Sequence, residues 1–365
     1  MWIYLSVVAA STFVAVQVEK NKGKQAAKIG FFLLFVILFL TAALRYDTGI
    51  DYWNYISIYK RFQIGIDTHV EPGFAFLMQI ISDGGFSPQW MFIVTSFFTV
   101  LFFLKALYEQ SSNFALSIFL YQVMGYYFYS FNSIRYYLAV SIAFYSLKYV
   151  VKRKYIPFIV WVLIAATFHK SVLIVLMFYP FANMIKLDNQ GKGIAFFLYT
   201  QAIGAFSYLI RGTLRKWIFY FYESYEGSRY DDGDVSALNI LLCIGTIALM
   251  LIYYDWFVKN KEARESNQFY YKMICMGLAL YMYGSWIPET SRIGYYLIIV
   301  LPVVLPRIIS VEPNVKYRCF LTYCCCAMLG LLFIYSLLKV YPDNGTGVGV
   351  ALLPYHVSEF NWIFN

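Results

Sequence analysis

Charge is what this sequence has least of. Asp, Glu, Lys and Arg make up 13% of its 365 residues, against 61% hydrophobic ones, and the mean hydropathy is +0.59. Soluble globular domains carry about a quarter charged residues and about half apolar ones, so a soluble enzyme is excluded and a polytopic membrane protein is indicated. No segment is long and polar enough to form a separate soluble domain, and residues 1–365 read as one transmembrane domain. Features of a cleavable leader are missing as well. Met1–Val18 has no basic leading region and no Ala-x-Ala exit, and a lysine-rich loop follows it, so a retained helix is predicted. The six cysteines lie in apolar runs without metal-ligand spacing, and no metal is expected. Neither a nucleotide-sugar motif nor a phosphate-cradling glycine loop is present, and no cofactor is expected.

What is there in abundance is apolar length. A bilayer helix needs about 20 apolar residues. The runs predict about twelve helices, near 2–18, 29–45, 88–107, 114–131, 134–150, 156–169, 171–186, 193–211, 235–258, 268–287, 290–309 and 317–339. The net charge of +9 reports topology and not nucleic-acid binding, because the basic residues sit in short loops. Placing loops 19–28, 105–113, 148–155, 186–192, 259–272 and 307–318 in the cytoplasm puts 18 of the 29 Lys and Arg inside. Both termini then lie outside.

The stretch Leu44–Tyr55 organises the rest. Arg45, Asp47 and Asp51 stand where an apolar helix leaves the bilayer, and charge there needs a partner or a task. Gly49 permits a sharp turn, and Tyr46, Tyr52, Trp53 and Tyr55 offer flat amphipathic faces that suit sugars and membrane interfaces alike. Between Asp51 and Ser87 the chain is predicted not to cross: an amphipathic segment through Trp53, Tyr59 and Phe62 comes first, then a short apolar run near 73–82 that reads as a re-entrant helix. Further charges are expected on the same outer side: Glu71, Arg135, His169, Glu289 and Arg292, with Arg211 and Arg215 opening an outer loop over 211–234. Asp231-Asp232-Gly233-Asp234, in that loop, reads as a solvated turn. A cavity at the outer leaflet accounts for this distribution better than scattered anchors do.

Arg45-x-x-x-Gly49-x-Asp51-Tyr52, then Glu71-Pro72-Gly73-Phe74, Arg135 opening an alanine-containing helix, Phe168-His169-Lys170-Ser171, and Arg292 followed by Tyr295 and Tyr296 together resemble the pattern of the EpsG family of bacterial polysaccharide polymerases, relatives of the Wzy polymerases. The resemblance implies an all-α, GT-C-like fold in the bacterial cytoplasmic membrane. It also implies joining of undecaprenyl-diphosphate-linked oligosaccharide units at the periplasmic or outer face. Donor and acceptor would both be lipid-linked, membrane lipids would surround the chain, and a chain-length regulator protein is a candidate partner.

That chemistry has physical needs. A diphosphate leaving group suits arginine forks, for which Arg45, Arg135 and Arg292 lead. The acceptor hydroxyl needs a base, for which His169, Asp51 and Glu71 compete. A carboxylate also stabilises an oxocarbenium-like transition state. Gly49, Tyr52, Tyr55, Tyr295, Arg211 and Arg215 are expected to bind substrate. Three alternatives stand beside polymerisation. A ligase using the same donor is expected to concentrate its motifs on one large outer loop. A membrane acyltransferase would face the cytoplasm. A lipid-oligosaccharide flippase would show pseudo-symmetric halves, and no internal repeat is evident.

Overall fold

Backbone polar groups inside a bilayer must bond within their own segment, and helices do this without outside help. The computed structural model describes residues 1–221, 236–257, 263–339, 352 and 355–357. Over these the chain is all-α apart from one short strand pair. The elements run α1 (Trp2–Lys20), α2 (Gln25–Ala43), β1 (Arg45–Tyr46), α3 (Tyr52–Gln63), α4 (Pro72–Asp83), α5 (Gln89–Gln110), α6 (Phe114–Val123), α7 (Tyr126–Tyr129) and α8 (Ile134–Val151). There follow α9 (Tyr155–Ala166), a 3₁₀ turn at Lys170–Ile174, α10 (Val175–Met184), α11 (Gln190–Leu209), α12 (Arg211–Phe221), α13 (Ala237–Ile252), α14 (Tyr254–Phe257) and α15 (Arg264–Tyr283). The last are α16 (Thr290–Ile298), α17 (Leu301–Val311), α18 (Val315–Lys339) and β2 (His356–Val357).

The number of full-length spans is smaller than the hydropathy suggests. Five helical stretches among the described residues are long and apolar enough to cross: Trp2–Lys20, Gln25–Ala43, Gln89–Gln110, Thr290–Val311 and Val315–Leu338. A sixth forms if Gln190–Leu209 and Arg211–Tyr220, bent by 77°, act as one. Among the other expected helices, one contains a break that was not expected and one hairpin turns where it was expected to. Gly125, at φ 85°, ends the run from Phe114. α9 stops at Ala166, and the chain restarts through the 3₁₀ turn. Twelve residues of helix span about 18 Å, well under the roughly 30 Å of a hydrocarbon core. The expected outer loop 211–234 begins as helix α12; its remainder, with the aspartate run, lies outside the described residues.

The chain forms two compact units. In unit 1 (Met1–Ser146, Val160–Lys170 and Asn314–Asn365), α1 and α2 pair as a hairpin, α1 also lies on α6, α2 on α5, and α18 on α6. A buried polar contact, Ser11 Oγ to Gln122 Oε1 at 2.9 Å, ties α1 to α6. The amphipathic α3 and the short α4 close over α5 through a core of Tyr52, Tyr55, Tyr59, Phe74, Met78 and Phe92. α4 is thus the short apolar helix expected near 73–82.

In unit 2 (Leu147–Ile159 and Ser171–Pro313), α15 is the central helix, packed by α10, α11, α13, α16 and α17. Tyr271 donates its hydroxyl to the Gly193 carbonyl at 2.8 Å, and Tyr179 to that of Tyr296 at 2.8 Å. Gly277 lets α16 come close: a Cβ there would stand 2.7 Å from Ile298 Cγ2. Gly277→Val is therefore expected to cost about 1–3 kcal/mol by overpacking, read as a lower midpoint of thermal unfolding in detergent. An unchanged midpoint would show that α15 and α16 can separate freely.

Candidate functional site

α2 ends at Ala43, and after Leu44 the residues Arg45–Tyr46 form β1, paired antiparallel with β2. Arg45 turns inward and is fully buried. Its guanidinium donates to the Ala42 carbonyl, to Ser96 Oγ at 3.3 Å and to the Phe131 carbonyl at 3.4 Å, and it lies over the rings of Phe92 and Phe131. Gln89 Nε2 takes the neighbouring carbonyls, Ala43 at 2.7 Å and Arg45 at 3.1 Å, while its Oε1 accepts from the Tyr52 hydroxyl at 2.9 Å. The motif then turns at Gly49, φ 100°, where a Cβ would stand 2.6 Å from the Phe131 carbonyl oxygen. Ile50 N donates to Asn132 Oδ1 at 3.1 Å, and Ser133 Oγ donates to Asp51 Oδ2 at 3.1 Å. The first motif is thus clamped onto residues 131–133, immediately before α8.

Arg135 is the second residue of α8 and is ion-paired to Glu71 at the start of α4. The second Glu71 oxygen accepts from the Lys170 backbone N–H at 3.2 Å. Gly73 N donates to the Thr167 carbonyl at 2.8 Å, so α4 sits directly on the turn after α9, and a Cβ on Gly73 would collide with Thr167. His169 lies in that turn, half-buried, with its ring edge-on to Tyr136 at 5.3 Å. Arg135 also lies 6.0 Å from the Tyr55 ring centre and 5.5 Å from that of Phe74, and its Nε is buried without a partner. Four motifs far apart in sequence therefore converge within unit 1: Asp51 with Ser133, and Glu71, Arg135 and the His169 turn.

Tyr52 and Tyr55 are core residues, 2% and 5% exposed, so their rings brace the site. Tyr46 and Trp53 are the exposed aromatics of the motif, at 42% and 52%. In unit 2, Glu289 adopts a left-handed conformation, φ 56°, and caps α16 beside Arg292, whose Nε lies 2.8 Å from Glu289 Oε2. Tyr295, about one helical turn beyond Arg292, is buried, and the Tyr296 hydroxyl meets Ser171 Oγ at 3.0 Å. Arg211 lies over the Tyr208 ring at 4.2 Å and Arg215 over Phe219 at 4.9 Å, both in the α11–α12 region.

Gln89, Ser96, Thr167 and Tyr136 are the supporting residues that sequence reasoning passed over. Gln89 had a signal: an amide just inside an apolar helix, after Pro88, must find buried partners. The Gly49 geometry yields a direct test. Gly49→Ala must place a side chain at positive φ against a carbonyl, at a cost of about 1–3 kcal/mol. Lower thermal stability with lost activity is expected. Wild-type behaviour in both would mean that the turn is not held as described.

Comparison with known proteins bears on what this convergence serves. No curated protein and no solved structure matches the chain, so the GT-C-like architecture remains what the resemblance implies. The sequence model of the EpsG family matches residues 28–357, a range that contains all five motifs. The chain belongs to the EpsG family and is a polysaccharide polymerase-like membrane protein.

Proposed function

We propose that the protein polymerises undecaprenyl-diphosphate-linked oligosaccharide units at the outer face of the bacterial cytoplasmic membrane. The observation that carries this reading is the junction of Glu71, Arg135 and the Lys170 N–H beside His169. An acceptor sugar hydroxyl attacks the anomeric carbon of the donor. The new C–O bond forms as the bond to diphosphate breaks, the hydroxyl proton passes to a base, and the lipid diphosphate leaves. Arg135 carries a fixed positive charge and an unused Nε donor, which suit phosphate oxygens. Glu71 is held by Arg135 and the Lys170 amide, so it serves to aim Arg135 and to stabilise positive charge developing on the sugar. His169 is then the base, with Asp51 bound to Ser133 as the organiser of the entry turn.

Arg45 is enclosed by carbonyls and rings, so its role in this reading is to hold the first motif. Tyr46 and Trp53 are the faces open to sugar stacking. Arg292 is the second phosphate candidate, oriented by Glu289 in unit 2, with Tyr295 beside it. Arg211 and Arg215 on α12 are further candidates for substrate contact.

Purified protein in vesicles, given one lipid-linked repeat unit and nothing else, is expected to form ladders. A ligase would need a separate acceptor, and a flippase would form no bond. Arg135→Lys keeps the charge but loses the fork, worth about 1.5–3 kcal/mol for a charged hydrogen bond, so ladder formation falls roughly tenfold to a hundredfold. Full-rate ladders from this variant at normal protein level would refute the phosphate role. His169→Gln is expected to lower the rate roughly 10²–10⁴-fold. The residual activity should lose the acid limb of the wild-type pH–rate profile, because wild type fails at low pH when the imidazole takes up a proton. A Gln variant that keeps both rate and acid limb makes His169 structural.

A further inference from the structure

Unit 2 holds a second polar constellation unrelated to the motifs. A cleft of about 220 Å³ lies between the end of α8, the segment after α10 and the start of α15. Arg264, Gln268 and Lys272 are spaced four apart and so line one face of α15. Gln268 clasps Leu187 at both its amide and its carbonyl, 3.1 and 2.7 Å, which holds the 185–188 segment along that face. Lys272 is 2% exposed and donates to the Ile185 carbonyl.

Charge in the cleft is one-sided. Arg153, Lys186, Arg264 and Lys272 face two acids, Asp188 and Glu265. Asp188 is already engaged by Lys192 at 2.7 Å and Arg264 at 3.2 Å, and the Lys192 hydrogen bond holds its carboxyl below the usual carboxylate range. Among the described residues no carboxylate lies within ion-pair distance of Arg153, Lys186 or Lys272, although Asp188 attracts Lys186 from further off, and the charges of Arg153 and Lys272 repel each other. A buried ammonium with no counter-ion is costly unless something anionic visits it. Arg153 adds a second sign. It ends α8 in the left-handed conformation, φ 56°, where glycine is the favoured residue. The backbone there carries strain to present an exposed cation to the cleft.

We infer that this cleft binds a phosphate-class anion, with Lys272 and Arg153 as its principal ligands and Lys186 and Arg264 at its rim. The residues lie in loops that the Lys and Arg bias assigns to the cytoplasm, where anionic lipid headgroups are the abundant source of that chemistry; free phosphate is the other source. The inference stands independently of the polymerase reading.

The full-length protein in detergent is tested by native mass spectrometry with phosphatidylglycerol against phosphatidylcholine, and by thermal shift with inorganic phosphate at constant ionic strength. Wild type is expected to retain phosphatidylglycerol preferentially. Arg153→Gly, which relieves the left-handed strain and leaves the fold intact, should weaken that retention about tenfold, as expected for a lost charge-assisted contact. Lys272→Met should do the same by removing the buried charge. If phosphate, but not phosphatidylglycerol, stabilises wild type and loses its effect in both variants, the ligand is the free anion. If neither ligand distinguishes wild type from Arg153→Gly, the inference is overturned, whatever Lys272→Met does to folding.

Discussion

A guanidinium sealed from water is the constraint on which unit 1 depends. Arg45 cannot lose its charge and cannot reach solvent, so the fold must bring oxygen atoms to it. It gathers them from the end of α2, from Ser96 on α5 and from Phe131 before α8. Those three places are far apart in sequence, and the charge fixes their relation. Removing one partner of such a buried arrangement typically costs about 3–5 kcal/mol. Gln89 completes the shell by taking the Ala43 and Arg45 carbonyls, so these backbone groups at the helix end are satisfied without water.

The candidate site is built on that shell. With Phe131 held by Arg45, the adjacent Asn132 and Ser133 are placed to receive the Gly49 turn and Asp51. α8 then starts at a defined point, which sets Arg135 opposite Glu71. Gly73 allows α4 to press on the Thr167 turn and brings Glu71 to the Lys170 amide next to His169. Rigidity passes from a buried charge to a largely buried ion pair, and precise positioning of this kind is what the proposed glycosyl transfer would use.

Much of the functional reading was visible in the chain because its signals are local. Charge after an apolar run, glycine within it and histidine between two short apolar arms are each one-dimensional patterns. Exposure was not legible. Tyr52 and Trp53 are neighbours of similar chemistry, yet one is core and the other surface, since helix α3 turns by 100° between them and only packing on Phe92 chooses the inward face. Helix breaks inside apolar runs were hidden for a related reason. Hydropathy averages over windows and does not register the Gly125 break, so the run 114–131 reads as one helix where the chain forms α6 and α7.

By itself the sequence determined the helical membrane class, the family and the candidate chemical groups, because hydrophobic length and short charged motifs act through neighbouring residues. Tertiary structure alone decided which charges have partners: Arg45 became a structural keystone, Arg135 an ion-paired fork with an unused donor, and Lys272 a buried cation facing a cleft. The reason is that the fate of a charge depends on the dielectric and the oxygen atoms brought around it from distant parts of the chain, and no local pattern records which parts those will be.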